Sequence, residues 1–515
     1  MRLRLSELDE NSHPDFGPDA SQANGSALAK VHALPFGFAR RFGVLVQRND
    51  DATVVVHKNP LELSVMAEVQ RFLGMPTQFQ GVSDDQFDML LSDAYADVNS
   101  DTRQLVEDLG EEIDLASLAD AMPDESDLLE QEGDAPVIRL INALIAEALR
   151  ENASDIHIET FETSVRVRFR IDGVLREVGT PKRALAPLIV SRIKVMASLD
   201  IAERRIPQDG RTTVRIGGRE LDVRVSVMPT GSGERVVLRL LDKQSHRLTL
   251  PALGMDATTL SGVRDIMQAP HGIFLVTGPT GSGKTTTLYA SLAELNTDLL
   301  NVLTVEDPIE YNLHGIGQTQ VNTKTGMTFA TGLRAMLRQD PDIVMVGEIR
   351  DFETAEIAIR ASLTGHLVFS TLHTNTAIGA VTRLVDMGLQ SYLLSASLIG
   401  VLAQRLIRVL CTECRELRPP DGLEAAFLDI STSHEIYQPR GCDACHGTGY
   451  RGRTGIYELI KVDDELRQLI HENSSERLLG DASFSEIGTI RDDGRRKVLS
   501  GVTTVQEVLR VTLGD

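Results

Sequence analysis

Two groups of residues in this 515-residue chain have types and spacing that could do chemistry. The first begins with Gly278-Pro279-Thr280-Gly281-Ser282-Gly283-Lys284-Thr285. Glycines at these positions let backbone N–H groups close around phosphate oxygens. Lys284 can reach the β and γ phosphates of a nucleotide, and Thr285 can hold Mg2+. The pattern requires a strand before it and a helix after it. Residues 273–277 form a short apolar run that reads as the strand, and a helix is expected from Thr286.

Hydrolysis of a bound nucleotide needs more than a cradle. A carboxylate must organise metal and water, and positive charge must offset the transition state. Residues 302–305 read as a strand that ends at Glu306-Asp307-Pro308-Ile309-Glu310. Residues 343–346 read as another, ending at Gly347-Glu348-Ile349-Arg350-Asp351, after a helix expected over 329–339. Residues 367–369 are a third, with His366 before them and Thr371-Leu372-His373-Thr374 after them. Open α/β sheets place ligands at the C-terminal ends of their strands. Any one of these carboxylates could be a cap or a solvated loop charge. Three such strand ends following a phosphate loop favour a site for ATP turnover.

The second group is Cys411-Thr412-Glu413-Cys414 and Cys442-Asp443-Ala444-Cys445, two knuckles separated by 27 residues. Four thiolates suit tetrahedral Zn2+ with no open position, hence a structural site. The spacer is longer than the common range of roughly 15 to 20 residues and fits a loop or small hairpin excursion. His446 follows directly; it could substitute as a ligand, although a loop histidine is the plainer reading.

The elements that must position these groups can be read from patterning. Residues 1–30 are rich in Ser, Asn, Asp and Gly and are expected to be mobile. Residues 31–83 form a small α/β domain around Phe36, Phe38, Phe42 and the strand 53–56. The stretch 84–134 is an acidic linker with 18 acidic residues and one basic residue, so −17 of the formal net charge of −22 lies there and the remainder carries only −5. Residues 135–247 form a mixed α/β domain. It opens with an apolar helical face from Val137 to Ala148 and contains two hairpins, one turning at Asp172-Gly173 and the other at Gly217-Gly218. Arg215 and Arg224 read there as solvated strand-face charges. From residue 248 to 515, apolar strands alternate with helices, the pattern of a largely parallel sheet. The cysteine pairs sit in an insertion spanning 405–455. The fold class is therefore α/β: a RecA-like phosphate-loop ATPase domain with a four-cysteine zinc-binding insertion, preceded by a mixed α/β domain and a small N-terminal α/β domain.

The bulk numbers exclude other classes. The chain opens with alternating charge rather than an apolar signal segment. Its most apolar stretch, 393–403, has 11 residues, well short of the ~20 needed to span a bilayer. Four cysteines in two pairs point to metal in a reducing compartment, with the cytoplasm as the default. The net charge disfavours a dedicated nucleic-acid binder, less strongly for the nearly neutral core than for the whole.

The acidic box 304–310, the strand and glutamate at 343–348, and the histidine box from Thr364-Gly365-His366 through His373 resemble the secretion ATPases that power type II secretion and type IV pili. The resemblance runs from Leu34 to Arg491-Asp492-Asp493-Gly494 and Val508-Leu509-Arg510. Two segments look most like the type II branch: Leu34-Pro35-Phe36-Gly37-Phe38-Ala39-Arg40-Arg41 and Ala153-Ser154-Asp155-Ile156-His157-Ile158-Glu159. Gly347 stands where ordinary phosphate-loop ATPases carry an aspartate. That is a habit of this family, and it shifts the carboxylate role to Glu348. The resemblance implies that Glu348 lies near Mg2+, that Glu310 positions or activates the attacking water, and that His373 senses the γ phosphate. Glu306 and Asp307 would line the nucleotide site, while Arg211 and Arg224 would reach the phosphates.

It further implies a homo-oligomer, a hexameric ring. Residues 31–83 would dock on the cytoplasmic domain of a bitopic inner-membrane secretion protein, and the motor would act on a polytopic platform protein from the cytoplasmic face of that membrane. No nucleic acid is expected. One alternative is a type IV pilus extension motor, which shares the boxes and differs in the N-terminal third. Another is a RecA-like DNA translocase, which would need a basic, aromatic-laced strand face that the sequence lacks. A nucleotide-gated scaffold without turnover fits poorly with intact Glu310, Glu348 and His373.

Overall fold

The computed structural model describes residues 34, 39, 42–49, 52–58, 65, 66, 69, 70, 73, 78–84, 86, 87, 90, 91, 136–216, 219–242, 249–295, 298–482 and 488–512. The expectations for residues 1–30 and for most of the acidic segment lie outside these. Two compact units result.

The described part of the first unit is a three-stranded sheet. Strand β1 (Val44–Asn49) pairs antiparallel with β2 (Ala52–Lys58), and β3 (Gln78–Val82) runs parallel to β2. Leu34, Val44, Leu45, Val55, Val69, Phe87 and Leu91 fill its core. Phe87 and Leu91 thus belong to this core, although they fall within the stretch read from composition as linker. Their apolar side chains outweigh the acidic average of the surrounding sequence.

The second unit holds two large sheets. Its six-stranded sheet has the order β6-β5-β4-β9-β8-β7, built from β4 (Ala153–Thr160), β5 (Val165–Ile171), β6 (Val174–Gly179), β7 (Gln208–Ile216), β8 (Arg219–Thr230) and β9 (Gly233–Asp242). In β5 the alternation of Val165, Val167 and Phe169 with arginines sends the apolar side chains inward. The helix Pro136–Arg150 buries Val137, Ile141, Leu144 and Ile145. Asp172 and Gly173, with φ of +48° and +82°, turn β5 into β6 as a tight hairpin requires.

The seven-stranded sheet has the order β12-β11-β13-β14-β10-β15-β18. Its strands are β10 (Gly272–Thr277), β11 (Val302–Glu306), β12 (Gly317–Gln320), β13 (Ile343–Val346), β14 (Leu367–Leu372), β15 (Leu398–Leu410) and β18 (Tyr450–Lys461). All neighbours from β12 to β15 are parallel, and β18 returns antiparallel to β15. Both faces are covered by apolar layers, which is why β10, β13 and β14 are buried throughout and read as continuous apolar runs. The helix expected over 329–339 is Phe329–Met336, ending earlier. The apolar stretch 393–403 divides between the helix Ser391–Ser397 and the start of β15. Among the described residues, no helix is long and apolar enough to cross a membrane. Between the ends of β15 and β18 lies an excursion with the short hairpin β16 (Glu416–Arg418) and β17 (Ile436–Gln438), and both cysteine knuckles.

Candidate functional site

The phosphate-loop sequence joins β10 to the helix Lys284–Ala293, as its pattern requires. Gly278 has φ +148°, and a Cβ there would lie 2.5 Å from the Gln404 carbonyl oxygen and 2.6 Å from Ser282 Oγ, so only glycine fits. Gly283 caps the helix at φ +89°. Lys284 is buried, and its Nζ donates to the carbonyl oxygens of Gly278 (2.8 Å) and Pro279 (3.1 Å). Burial pushes its ammonium down to about 8; Glu348 opposes that shift and Arg405 adds to it. Ser282 Oγ is buried with no hydrogen-bond partner among the described residues, so the loop holds a spare polar group of the kind a phosphate oxygen would satisfy. Thr285 is exposed on the wall of a cavity of about 420 Å3 that the loop lines together with Glu306, Asp307, Glu310, Glu348 and His373.

The parallel register brings the other strand ends to the same edge. Val305 pairs with Val346, Val346 with Ser370, and Thr277 with Leu372. His373, just past β14, therefore bridges the loop and the β13 end. Its Nδ1 lies 3.5 Å from Lys284 Nζ and its Nε2 lies 3.1 Å from a Glu348 carboxylate oxygen. Arg350 donates to the other Glu348 oxygen. Burial by itself would raise the Glu348 carboxyl. The hydrogen bond and charge of Arg350, together with His373, outweigh burial and hold the group below the ordinary carboxylate range. Lysine, histidine, glutamate and arginine thus form one connected chain across three strand ends.

The remaining expected residues divide. Glu310 lies on the cavity wall, where Arg224 of β8 donates to its carboxylate at 2.9 Å. Arg224, read from sequence as a solvated strand-face charge, is instead a half-buried partner of the acidic loop. Arg215 is the solvated one, paired with Glu220 near the surface. Arg211 is exposed and lines a second cavity of about 600 Å3 with Arg224, Arg239 and Asp307. Glu306 is buried, and its carboxylate accepts from the Tyr289 hydroxyl, the Thr304 hydroxyl and, at 3.0 Å, the Gln318 amide.

Residue-by-residue reading of motifs missed several supporting groups. Gln404 of β15 donates to the Ser282 carbonyl at 2.6 Å and accepts from Thr287 Oγ1 at 2.8 Å, bracing the phosphate loop from below. A glutamine buried inside an apolar strand was the available signal. Thr374 is tied to Thr277 by hydroxyl and backbone contacts of 2.6 and 3.0 Å, locking the histidine turn to the end of β10.

The cysteines converge. The sulfurs of Cys411, Cys414, Cys442 and Cys445 all lie within 4.8 Å of one another. The Cys411–Cys442, Cys414–Cys445 and Cys442–Cys445 separations are 3.9, 3.7 and 3.7 Å. A tetrahedron of Zn–S bonds has edges of about 3.8 Å, so the donor set fits that ion. Backbone N–H groups of Cys442 and Gly449 point at Cys445 Sγ at 3.2 and 3.1 Å. Against the upward push of burial, these donors hold that thiol down, while burial pushes the Cys414 thiol up. His446 turns away, its Nε2 lying 4.0 Å from Glu151.

A phosphate loop at the end of an interior strand of a largely parallel sheet, with carboxylate and histidine on nearby strand ends, defines a RecA-like phosphate-loop ATPase. The profile of the family described as "Type II/IV secretion system protein" matches residues 130–510, and that of an N-terminal domain of GSPII protein E matches residues 33–95. Type II secretion system protein E of Pseudomonas aeruginosa is 61% identical over 486 residues, covering 94% of this chain and 97% of that one. Type II secretion system ATPase E of Vibrio cholerae is 54% identical over 487 residues, with the same coverage of 94% and 97%. Among solved structures, the Legionella pneumophila ATPase DotB shares the fold at 20% identity, with a TM-score of 0.55 over 77% of this chain and 98% of that one. The chain belongs to the type II/IV secretion system protein family.

Proposed function

We propose that this chain is the ATP-hydrolysing motor of a type II secretion system, driving pseudopilus assembly and protein export. The observation that carries the reading is the connected set Lys284, His373 and Glu348, with separations of 3.5 and 3.1 Å, facing one cavity at the strand ends. Residues 278–285 hold the phosphates of ATP, Thr285 and Glu348 serve Mg2+, Asp307 lines the metal side, Glu310 positions or activates the water, and His373 senses the γ phosphate. When bound, Mg2+ offsets charge on the transferring phosphoryl group.

Arg224, which pairs with Glu310 at 2.9 Å, and Arg211 supply positive charge to the phosphates. A hexameric ring follows from the family. The domain limits proposed are 31–83 for docking, extended past Leu91 by the core contacts of Phe87 and Leu91, with the acidic linker following to 134, then 135–247 for the arginine-bearing domain and 248–515 for the ATPase domain. The docking domain binds a bitopic inner-membrane secretion protein, and the motor works on a polytopic platform protein at the cytoplasmic face. The profile match over residues 33–95 supports the type II branch over a pilus extension motor. Zn2+ held by the four cysteines is structural. Steady-state phosphate release by the full chain tests the reading: Lys284→Ala and Glu348→Ala should each lose turnover while the fold persists, and undiminished turnover in either would refute it.

A further inference from the structure

We infer that Tyr289 is a positioning residue for hydrolysis and that Glu306, at the edge of the nucleotide cavity, is the buried acceptor that aims the Tyr289 hydroxyl. The inference rests on the reading of Glu310 as the group that positions water.

Tyr289 lies on the helix that begins at Lys284 and is completely buried. A phenolic hydroxyl has one proton to give and room to accept two. Here every capacity is used. The hydroxyl donates to Glu306, accepts the Glu310 backbone N–H at 3.3 Å, and accepts the Gln318 amide at 3.3 Å. Glu306 completes its own set with Thr304 and Gln318. Burial, reinforced by the Glu306 charge, pushes the Tyr289 phenol far up, so it stays a donor throughout the physiological range.

Gln318 continues the seam. Its Nε2, whose two N–H groups are shared among the Tyr289, Glu306 and Tyr311 oxygens, lies 3.2 Å from the Tyr311 carbonyl, and its Oε1 accepts the Leu313 N–H at 2.7 Å. The Tyr311 ring meets the Tyr289 ring edge-on, with centroids 4.7 Å apart. The loop carrying Glu310 is therefore fixed at three backbone points, at residues 310, 311 and 313. The anchor at residue 310 is a side chain of the helix whose first residue is Lys284, and the other two are held by Gln318 of β12. Tyr289 thus links the helix of the phosphate loop to the loop that carries Glu310, so removing its hydroxyl frees the carboxylate to shift without touching the cradle. A displacement of about 1 Å at a reacting group can cost on the order of a hundredfold in rate.

The test uses the full chain, with steady-state ATP hydrolysis and equilibrium ADP binding. Tyr289→Phe keeps the ring and removes the hydroxyl. It should lower kcat about ten- to hundredfold and leave KM and ADP affinity within about twofold, whereas general loosening of the site would move affinity along with rate. Glu306→Gln sets an amide donor among the Tyr289, Thr304 and Gln318 donors and should lower kcat as Tyr289→Phe does, with unchanged Mg2+ dependence. Wild-type kcat in Tyr289→Phe alongside an inactive Glu310→Gln overturns the inference alone. So does Glu306→Gln losing turnover with a raised Mg2+ requirement. Full turnover in Glu310→Gln overturns the underlying reading of Glu310 and this inference with it.

Discussion

The strand-end site and the four-cysteine cluster are both convergences of side chains from separate segments, yet they are built on opposite principles. The strand-end site joins unlike groups, an ammonium, an imidazole, a guanidinium and carboxylates, each shifting or neutralising its neighbour. Thr285 and His373 are exposed on its cavity wall, and Arg224 reaches Glu310 from a different sheet. The cluster joins four like donors from two short knuckles, three of them buried, with backbone N–H groups turned onto one sulfur. Unlike charges in an open cavity can be rearranged by a ligand, whereas like donors in a closed shell have one good arrangement. The first site is suited to change and the second to holding shape.

Substitutions and titrations can break or sharpen that contrast. The largest effect is expected at Lys284. Lys284→Ala should abolish turnover, a loss of about a thousandfold or more, without changing the thermal unfolding midpoint appreciably. Next comes pH. Lys284 is charged below its depressed value of about 8, and bound phosphate restores the charge. ATP affinity of the free chain should therefore be flat near neutrality and fall above pH 8 by up to about tenfold per unit, a dependence that Lys284→Ala removes. A flat affinity from pH 7 to 9.5 would show that the lysine is not desolvated. Arg224→Ala should lower kcat about tenfold or more with little change in stability, because the ion pair with Glu310 is partly exposed. Unchanged or faster turnover would make Arg224 only a resting tie. The smallest effect on chemistry is expected at the cluster. Metal analysis should find about one zinc per chain. Cys414→Ser should lower the melting temperature by several degrees, leaving the kcat of the folded fraction near normal.

How far the sequence spoke differs between the two regions for a physical reason. The phosphate loop and the knuckles are local: their residues lie within a few positions of one another, so spacing reveals them. The three strand ends were also legible, because apolar runs end where polar residues begin and a parallel sheet gathers those ends at one edge. What stayed hidden depends on tertiary contact. Nothing in the spacing tells that Arg224 meets Glu310 across 86 positions, that Gln404 braces Ser282 from 122 positions away, or that Glu306 turns inward to Tyr289. Composition also misled at Phe87 and Leu91. An acidic average concealed two apolar side chains that belong to the N-terminal core.

The central claim is that the carboxylate at the end of β13 works on a nucleotide held by the phosphate loop. The most direct measurement is ATP turnover and nucleotide binding by the same full-length Glu348→Ala protein. Retained ATP binding with phosphate release reduced to background is the predicted result, and phosphate release at the wild-type rate would contradict the account.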